Sequence, residues 1–250
     1  MNTDRFTGKS GDYAAARPAY PAALIAWLGQ KGIGEGARVA DIGAGTGKFT
    51  AQLLDLGAEV WAVEPNADMR AQLTERLGLH PRCRFADTTA EATGLASASV
   101  DLVTAAQAFH WFDAAAFAKE CSRILVPGGK VCLVWNSRVA DAAVNVATEE
   151  ASRVFCPTFG GFSNGKGAEH AETAAFFADG FEKLRFPHDL IYSREAFVRR
   201  QLSSSYAPSD PAAREAYANA LNALFDRFAQ NGALTVPNES VAWWGSVSET

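Results

Sequence analysis

The stretch "VADIGAGTGKFT", residues 39–50, decides how the rest of the sequence is interpreted. It begins as an apolar strand, turns through Gly43, Gly45 and Gly47, and leads into "KFTAQLLDLG" (48–57), which has the pattern of a helix. Glycine permits positive φ and lets the backbone approach a ligand closely. A strand, a glycine-rich turn and a helix in this order predict a ligand-binding loop at the carboxyl edge of an open parallel sheet.

Strands and helices alternate around this loop. We predict strands at 37–43, 58–65, 83–87, 99–107 and 130–136, and helices at 20–31, 48–57, 66–78 and 113–125. Strands that alternate with helices of about ten residues predict β-α-β units and a parallel sheet covered on both faces.

The pattern changes near residue 138. We predict a helix at 138–155, a glycine-rich connection at 156–170, a strand at 181–193, helices at 194–204 and 211–232, and a closing strand at 233–247. These late elements are expected to lie over the functional edge of the sheet.

Composition excludes some classes of protein. The chain has 250 residues and a net charge of −5, which argues against nucleic-acid binding. The start has no apolar signal-peptide core and no apolar run is long enough to span a membrane, so we expect a cytoplasmic protein. The cysteines form no C-x-x-C pair and are expected to be small buried hydrophobes, and we expect no metal. They are Cys83, Cys121, Cys132 and Cys156.

The spacing of the glycines limits the class of ligand that the loop is expected to bind. It differs from the dinucleotide pattern G-x-G-x-x-G, and there is no G-x-x-x-x-G-K-[ST] for a P-loop. Asp41 precedes the glycines, and Glu64 ends the next predicted strand. A carboxylate at the position of Glu64 can accept hydrogen bonds from both hydroxyls of a ribose.

The string Asp-Ile-Gly-Ala-Gly-Thr-Gly resembles motif I of class I S-adenosylmethionine-dependent methyltransferases. In "RFAD", Asp87 ends the third strand, where that family has an acidic residue near the adenine. "LVPGGKVCLVW" resembles the family's L-x-P-G-G turn into the fifth strand. The resemblance runs from about residue 37 to 136. It implies S-adenosylmethionine as cofactor and S-adenosylhomocysteine as product. The contacts it implies are Asp41, Gly43, Ala44, Gly45, Gly47, Glu64, Pro65, Met69, Asp87, Thr88 and Gln107.

"AQAFHWFD" (106–113) follows the fourth strand and so belongs to the same edge. It resembles a branch of small-molecule methyltransferases that includes trans-aconitate methyltransferase-like proteins. The resemblance implies that Gln107 lies near the methionine part of the cofactor and that His110 and Trp111 border the reacting centre and the substrate. His110 is our candidate catalytic base, and the alternative is that it only orients the loop.

The segment "DYAAARPAYP" (12–21) resembles the start of the same branch. Tyr13 and Arg17 are candidate cofactor contacts. The guanidinium of Arg17 can form a bidentate ion pair with the methionine carboxylate. Tyr20 is a candidate substrate contact. The alternative is an N-terminal capping stretch with an ordinary surface arginine.

"RRQLSSSYAP" (199–208) is the last distinctive segment. Tyr206 is a candidate substrate contact, and Arg199 or Arg200 would favour an acidic acceptor. A serine-rich helix end is the alternative interpretation.

We therefore expect an α/β, Rossmann-like class I methyltransferase fold, with a seven-stranded, mostly parallel sheet and a late helical lid. We expect a single domain over 1–250. Its parts are an N-terminal cap segment (1–36), a cofactor-binding core (37–136), a lid with acceptor-side elements (137–232) and a closing strand (233–250).

The expected reaction is methyl transfer to a small molecule, with O-methylation of a carboxylate or hydroxyl favoured. C- or N-methylation of a quinone-like or amine acceptor is one alternative. A non-catalytic nucleoside or nicotinamide binder on the same fold is another. We expect no nucleic-acid or membrane partner, and the sequence makes no prediction of oligomeric state.

Overall fold

A computed structural model describes residues 19–162, 171–177 and 180–247, so the candidate contacts Tyr13 and Arg17 lie outside the described residues. In these ranges the strands are β1 Arg38–Ile42, β2 Glu59–Val63, β3 Cys83–Ala86, β4 Val100–Ala106, β5 Leu125–Arg138, β6 Phe181–Pro187, β7 Leu190–Tyr192, β8 Leu234–Val236 and β9 Asn238–Gly245. The helices of the same ranges are α1 Ala22–Gln30, α2 Lys48–Asp55, α3 Ala67–Leu77, α4 Ala114–Ile124, α5 Ala143–Phe155, α6 Ala171–Ala175, α7 Arg194–Leu202 and α8 Pro211–Phe228.

In the part of the chain that the structure describes, seven strands form the main sheet in the order β3-β2-β1-β4-β5-β9-β6. Neighbours from β3 to β5 pair in parallel, and β9 runs antiparallel to both β5 and β6. The chain moves outward from β1 to β3 and then returns to place β4 on the other side of β1. The carboxyl ends of β1 and β4 therefore form the switch point where ligands bind in such sheets. The predicted sheet and fold class are confirmed.

Helices cover both faces of the sheet. Side chains alternate along a strand, so each strand contributes apolar side chains to a core on either face. In β5, Cys132 and Val134 pack into the core beneath α1, α2 and α3, whereas Leu133 packs with α4 into the core on the opposite face. Two side-chain caps hold the starts of α3 and α4. The Asn66 side chain accepts from the N–H of Met69 at 3.0 Å, and Asp113 caps the start of α4.

A further apolar core belongs to the late elements. It joins α5, α7, α8 and the two-stranded sheet of β7 and β8, and we call these elements the lid. Tyr217 of α8 is fully buried, and its hydroxyl lies 2.8 Å from Ser152 Oγ of α5. The lid therefore has its own packed interior.

Two predicted strands are wrong in extent. The strand predicted over 181–193 is divided into β6 and β7, and the one predicted over 233–247 is divided into β8 and β9. In each case the two pieces belong to different sheets. Both divisions fall at a proline, since Pro187 ends β6 and Pro237 separates β8 from β9. Proline has no N–H for the ladder, so the chain leaves one sheet there.

The third correction concerns β5. The strand predicted over 130–136 begins earlier, at Leu125, and ends later, at Arg138, while the helix predicted from 138 begins only at Ala143. The extension is stabilised from the far end of the chain, because β9 pairs with β5 as far as Arg138 opposite Asn238. Local helical periodicity could not reveal this pairing.

Within the described ranges, no helix combines the length and apolarity needed to cross a membrane, and the cytoplasmic location stays a prediction. The same residues contain no cluster of three or more His, Cys, Asp and Glu side chains that could hold a metal ion. The cysteines are unbridged. Cys121, Cys132 and Cys156 are buried, as predicted, and Cys83 is partly buried.

Candidate active site at the carboxyl edge of the sheet

The glycine loop between β1 and α2 lies at the switch point. The φ angles of Gly43, Gly45 and Gly47 are 69°, 58° and 79°, in the left-handed region that favours glycine. The N–H of Gly43 donates to the carbonyl of Val63 at 2.9 Å, which fastens the loop to the end of β2. A Cβ on Gly43 would lie 2.5 Å from the Cβ of Ala108, so the loop touches the segment that follows β4.

Glu64 closes the loop from the end of β2. Its side chain is buried, and Oε2 accepts from the N–H of Gly45 at 2.8 Å while Oε1 accepts from the N–H of Asn66 at 2.8 Å. Burial raises the pKa of Glu64, and these two backbone donors partly oppose that shift. Each carboxylate oxygen has a further lone pair. The buried carboxylate can therefore accept additional donors, such as the hydroxyls of a ribose.

Asp41 lies beneath the loop, at 1% exposure. Thr50 Oγ1 donates to its Oδ2 at 2.6 Å, and Thr104 Oγ1 donates to its Oδ1 at 2.8 Å. Burial raises the pKa of Asp41 to about 6, and the negative charge of Glu64 acts in the same direction. Asp41 thus ties β1, α2 and β4 together, and its contact with a cofactor stays a prediction.

The predicted adenine side lies beside Glu64. The N–H of Glu64 donates to the carbonyl of Ala86 at 3.0 Å, so the end of β3 is adjacent to the end of β2. Asp87 follows and is exposed. Thr88 Oγ1 donates to the carbonyl of Thr93 at 2.8 Å, which closes the turn after β3. Asp87 and Thr88 therefore lie beside Glu64 at the carboxyl edge of the sheet. We call the region between the glycine loop, Glu64 and the segment after β4 the opening.

The start of α3 completes this side of the site. Met69 is 9% exposed, and its Sδ would lie 3.9 Å from a Cβ on Gly45. Arg70 Nη1 donates to the carbonyls of Glu64 and Pro65, at 2.9 and 3.1 Å. The guanidinium of Arg70 therefore holds the backbone that presents the Glu64 carboxylate.

The segment after β4 forms the opposite side of the opening. Gln107 has a φ of 59°, which is uncommon for a residue with a side chain and costs about 1–2 kcal/mol. Its N–H donates to the carbonyl of Val134 at 2.8 Å, and its Nε2 donates to the carbonyl of Asn136 at 2.9 Å. β5 therefore holds Gln107 in a strained conformation, a feature that clusters at functional sites.

The aromatic residues of this segment differ in how deeply they are buried. Phe109 is buried at 4% exposure, with its ring against Trp135. Phe112 lies near the glycine loop, since a Cβ on Gly43 would lie 3.3 Å from its Cζ. Trp111 is 38% exposed, and its ring centroid is 4.9 Å from that of the half-buried His110. We call residues 107–112 the aromatic wall.

The two tyrosines predicted to contact substrate lie in different surroundings. Tyr20 is 8% exposed, and its ring packs on Phe49 at a centroid distance of 4.7 Å. Tyr206 lies in the lid, with its ring 4.8 Å from that of Phe159. Tyr20 thus belongs to the core beneath α2, and a contact of either tyrosine with substrate stays a prediction.

Sequence reasoning missed Arg138. The residue ends β5, its Nη2 donates to Gln201 Oε1 at 3.2 Å, and its Cζ lies 3.8 Å from the ring centroid of Phe162. Assigning residue 138 to a helix concealed its position at the carboxyl edge of the sheet. The apolar alternation of the last strand was the available signal for the longer β5.

These features fit a nucleoside cofactor that carries no phosphate. The backbone of the glycine loop comes close to the segment after β4, the Glu64 carboxylate lies against the loop, and the aromatic wall borders its other side. The three carboxylates nearest the opening, Asp41, Glu64 and Asp87, would repel a phosphate. Hydroxyl donors and a sulfonium cation suit a negatively charged edge of this kind.

The strand order and the loop at the switch point define the class I, Rossmann-like methyltransferase fold. Comparison with known families agrees. Residues 40–133 match the model of the methyltransferase domain family.

Curated relatives are methyltransferases by name. An uncharacterized methyltransferase of Mycobacterium tuberculosis strain H37Rv is 42% identical over 133 residues, which cover 53% of this chain and 52% of that protein. An uncharacterized methyltransferase-like protein of Schizosaccharomyces pombe is 40% identical over 129 residues, covering 51% of this chain and 49% of that protein. The chain spans about half the length of the curated relatives it matches.

Solved structures share the fold over most of the chain. A candidate type II methyltransferase from Anaeromyxobacter dehalogenans is 25% identical with a TM-score of 0.67, covering 92% of this chain and 97% of that one. A phosphoethanolamine N-methyltransferase 2 of Haemonchus contortus, in complex with S-adenosylhomocysteine, is 14% identical with a TM-score of 0.55. It covers 99% of this chain and 59% of that one, and at this identity it shows the fold alone.

Proposed function

We propose that the protein transfers a methyl group from S-adenosylmethionine to a small-molecule acceptor and releases S-adenosylhomocysteine. The observation that carries this proposal is the buried Glu64 carboxylate, which lies 2.8 Å from the N–H of Gly45 across the glycine loop. It combines an acceptor for a ribose diol with a loop that admits the ligand. The methyltransferase domain match over residues 40–133 supports the same function.

In this proposal Gly43, Ala44, Gly45 and Gly47 line the methionine and ribose part of the cofactor, and Glu64 accepts hydrogen bonds from the ribose hydroxyls. Asp41 supports the loop from below. The adenine end lies among Pro65, Met69, Asp87 and Thr88. Tyr13 and Arg17 lie outside the described residues, and their contacts stay predictions.

The cofactor supplies a methyl group on a sulfonium, whose S–CH₃ bond breaks with the electron pair left on sulfur as the acceptor's lone pair bonds to carbon. Gln107 and the aromatic wall exclude water and orient the acceptor along this line. Trp111 offers an aromatic face to the cation. For a hydroxyl acceptor, His110 takes the proton that the oxygen loses. A carboxylate acceptor has no proton to lose, and His110 then only shapes the wall.

O-methylation of a carboxylate or hydroxyl is the reaction we favour, because Arg200 of the lid lies close enough to Arg138, at the carboxyl end of β5, to act on its charge. C- or N-methylation of a quinone-like or amine acceptor would require an apolar or acidic surface there instead. A non-catalytic binder on the same fold would bind the nucleoside and transfer nothing.

A ligand-binding test separates these functions. Isothermal titration and thermal shift with S-adenosylhomocysteine should show binding and a raised melting temperature, whereas NAD should have no effect. A shift with NAD alone would contradict the proposal. Methyl transfer is then followed with S-adenosylmethionine labelled in the methyl group, against small acids, phenols and amines. Cofactor binding with transfer to none of these classes would favour the non-catalytic binder.

A further inference from the structure

Arg138 has an unusual position for an arginine. It is the last residue of β5, and its half-buried side chain contacts the lid. Its Nη2 donates to Gln201 Oε1 at 3.2 Å, and its Cζ lies 3.8 Å from the ring centroid of Phe162. Gln201 is itself 2% exposed. The guanidinium is therefore held in place by a buried amide and an aromatic ring, a cation–π geometry that leaves its edge available.

The charge of Arg138 is not neutralised by the protein that surrounds it. Among residues 19–162, 171–177 and 180–247, no carboxylate forms an ion pair with it, and its buried Nη1 makes no hydrogen bond. Arg38 of β1, in contrast, is paired with Asp101 at 2.8 Å. A buried donor without a partner is costly, and the charge of the half-buried guanidinium has no counter-ion among the described residues. An anion bound at Nη1 would satisfy both requirements.

The groups close enough to act on the charge of Arg138 are a second cation and three tyrosines. Burial lowers the pKa of Arg138 and the nearby cation of Arg200 lowers it further, while Tyr206, Tyr192 and Tyr217 act in the opposite direction. No Asp or Glu of the described ranges is among the groups that shift it. Two like charges brought together with tyrosine hydroxyls are stabilised when an anion lies between them.

The location places this group on the acceptor side of the opening. β4 pairs with β5 as far as Ala106 opposite Val134, and β5 continues for four more residues. At a rise of about 3.3 Å per residue, Arg138 stands about 13 Å further along the strand than Val134. Asn136, midway along this extension, receives the side chain of Gln107 through its carbonyl. One strand therefore connects the aromatic wall to Arg138.

We propose that Arg138 and Arg200, with the Tyr206 hydroxyl, form a subsite that binds a carboxylate group of the methyl acceptor. The inference rests on the proposed methyltransferase function and adds the acceptor class, a small carboxylic acid. Arg138 makes the direct, bidentate contact, and Gln201 and Phe162 orient it. Arg199, which the sequence suggested as an alternative to Arg200, is exposed and does not contribute to the charge at Arg138.

The test uses the full chain saturated with S-adenosylhomocysteine. A panel of small mono-, di- and tricarboxylic acids is titrated calorimetrically, each beside its neutral carboxamide and beside inorganic phosphate. The proteins are wild type, Arg138→Gln, Arg138→Lys and Arg227→Gln. Arg227 is a matched control, because it also lies on an aromatic ring of the lid, 4.8 Å from the centroid of Phe228, but is exposed.

We expect at least one acid to bind wild type while its carboxamide does not. Arg138→Gln should weaken that binding roughly 30-fold or more, the usual value of hydrogen bonds to a charged group. Arg138→Lys should keep part of the affinity for the acid, because an ammonium group retains the charge but cannot form the paired hydrogen bonds of a guanidinium. Arg227→Gln should bind as wild type does. Affinity for S-adenosylhomocysteine should stay within twofold in every variant, which also shows that the lid and the sheet are folded.

Three results would overturn the subsite: no acid binds better than its carboxamide, phosphate binds better than every acid, or Arg138→Gln binds the acid as wild type does. Failure of the proposed function looks different, because wild type would then not bind S-adenosylhomocysteine. The acid titrations would be repeated without it, and equal binding to wild type and Arg138→Gln would still overturn the subsite.

Discussion

The carboxylate of Glu64 and the backbone N–H of Gly45 lie 2.8 Å apart and join the end of β2 to the loop that follows β1. This hydrogen bond fixes the Glu64 side chain against the glycine loop. It also explains how a buried acid is tolerated, since backbone donors stabilise the charge that burial disfavours. A ligand that enters the loop therefore meets a carboxylate whose orientation is already set.

Replacing Glu64 by Gln tests this orientation. The amide keeps the size of the side chain but loses the charge, and its NH₂ group must face one of the two backbone donors, Gly45 or Asn66. We expect affinity for S-adenosylhomocysteine to fall about 100-fold, because charge-assisted hydrogen bonds to two ribose hydroxyls are lost. Isothermal titration measures the change. Glu75→Gln, at an exposed position of α3, is the control and should bind as wild type does.

Replacing Gly43 by Ala tests the contact between the loop and the aromatic wall. The new Cβ would lie 2.5 Å from that of Ala108, at a φ of 69°. Gly32→Ala is a matched control, because Gly32 has a φ of 90° with no atom within 4 Å of the added Cβ. The left-handed backbone costs about 1 kcal/mol in both variants. The collision adds about 1–3 kcal/mol for Gly43→Ala alone. Urea unfolding measures both, and equal losses would contradict the close contact.

How far the sequence predicts the fold depends on the range of the interactions. The glycine loop, Glu64 and the caps of α3 and α4 are predictable, because each rests on residues a few positions apart. The ends of β5 and β9 are not, because Arg138 becomes a strand residue only through pairing with Asn238. The divisions at Pro187 and Pro237 had a local signal in the missing N–H, but nothing local indicates which sheet each piece joins.

The candidate site shows the same limit. Motif resemblance predicts where Asp41 and Gln107 lie, but it does not predict that Asp41 is enclosed by Thr50 and Thr104. Nor does it predict the left-handed φ of Gln107, which results from hydrogen bonds to β5. The contacts of Arg138 with the lid depend on the packing of late helices, which is a tertiary effect.

Replacing Gln107 by Gly tests whether the strain at this position serves the site. Glycine relieves the φ of 59° but removes the side-chain hydrogen bond to the carbonyl of Asn136. Ala98→Gly is the control, because Ala98 is exposed with a φ of 51°. We expect Ala98→Gly to stabilise the fold by about 0.5–1 kcal/mol and Gln107→Gly to leave it nearly unchanged. Gln107→Gly should also slow methyl transfer roughly tenfold, because the aromatic wall loses its side-chain hydrogen bond to β5.

Replacing His110 by Gln distinguishes a proton acceptor from a residue that only shapes the wall. For a hydroxyl acceptor found in the labelled-methyl screen, loss of a general base should lower kcat about 100-fold or more. Affinity for S-adenosylhomocysteine should not change, and a carboxylate acceptor should be methylated at nearly the wild-type rate. A similar loss with both acceptor types would assign His110 to the shape of the wall.

Replacing Asp41 by Asn tests the buried carboxylate beneath the loop. The folded state raises the pKa of Asp41 to about 6 from an ordinary value near 3.8, so the native protein binds more protons than the unfolded chain between these values. The free energy of unfolding therefore falls as pH rises from 4 to above 6, and a difference of about two units corresponds to about 3 kcal/mol.

Asn resembles the protonated acid and still accepts from one of the two threonines, Thr50 or Thr104. Its stability relative to wild type should thus be about 3 kcal/mol more favourable at pH 7 than at pH 4, as measured by urea unfolding at both values. The two proteins share every other titrating group, Glu64 included, so parallel pH dependences would show that Asp41 is ionised without cost in the fold.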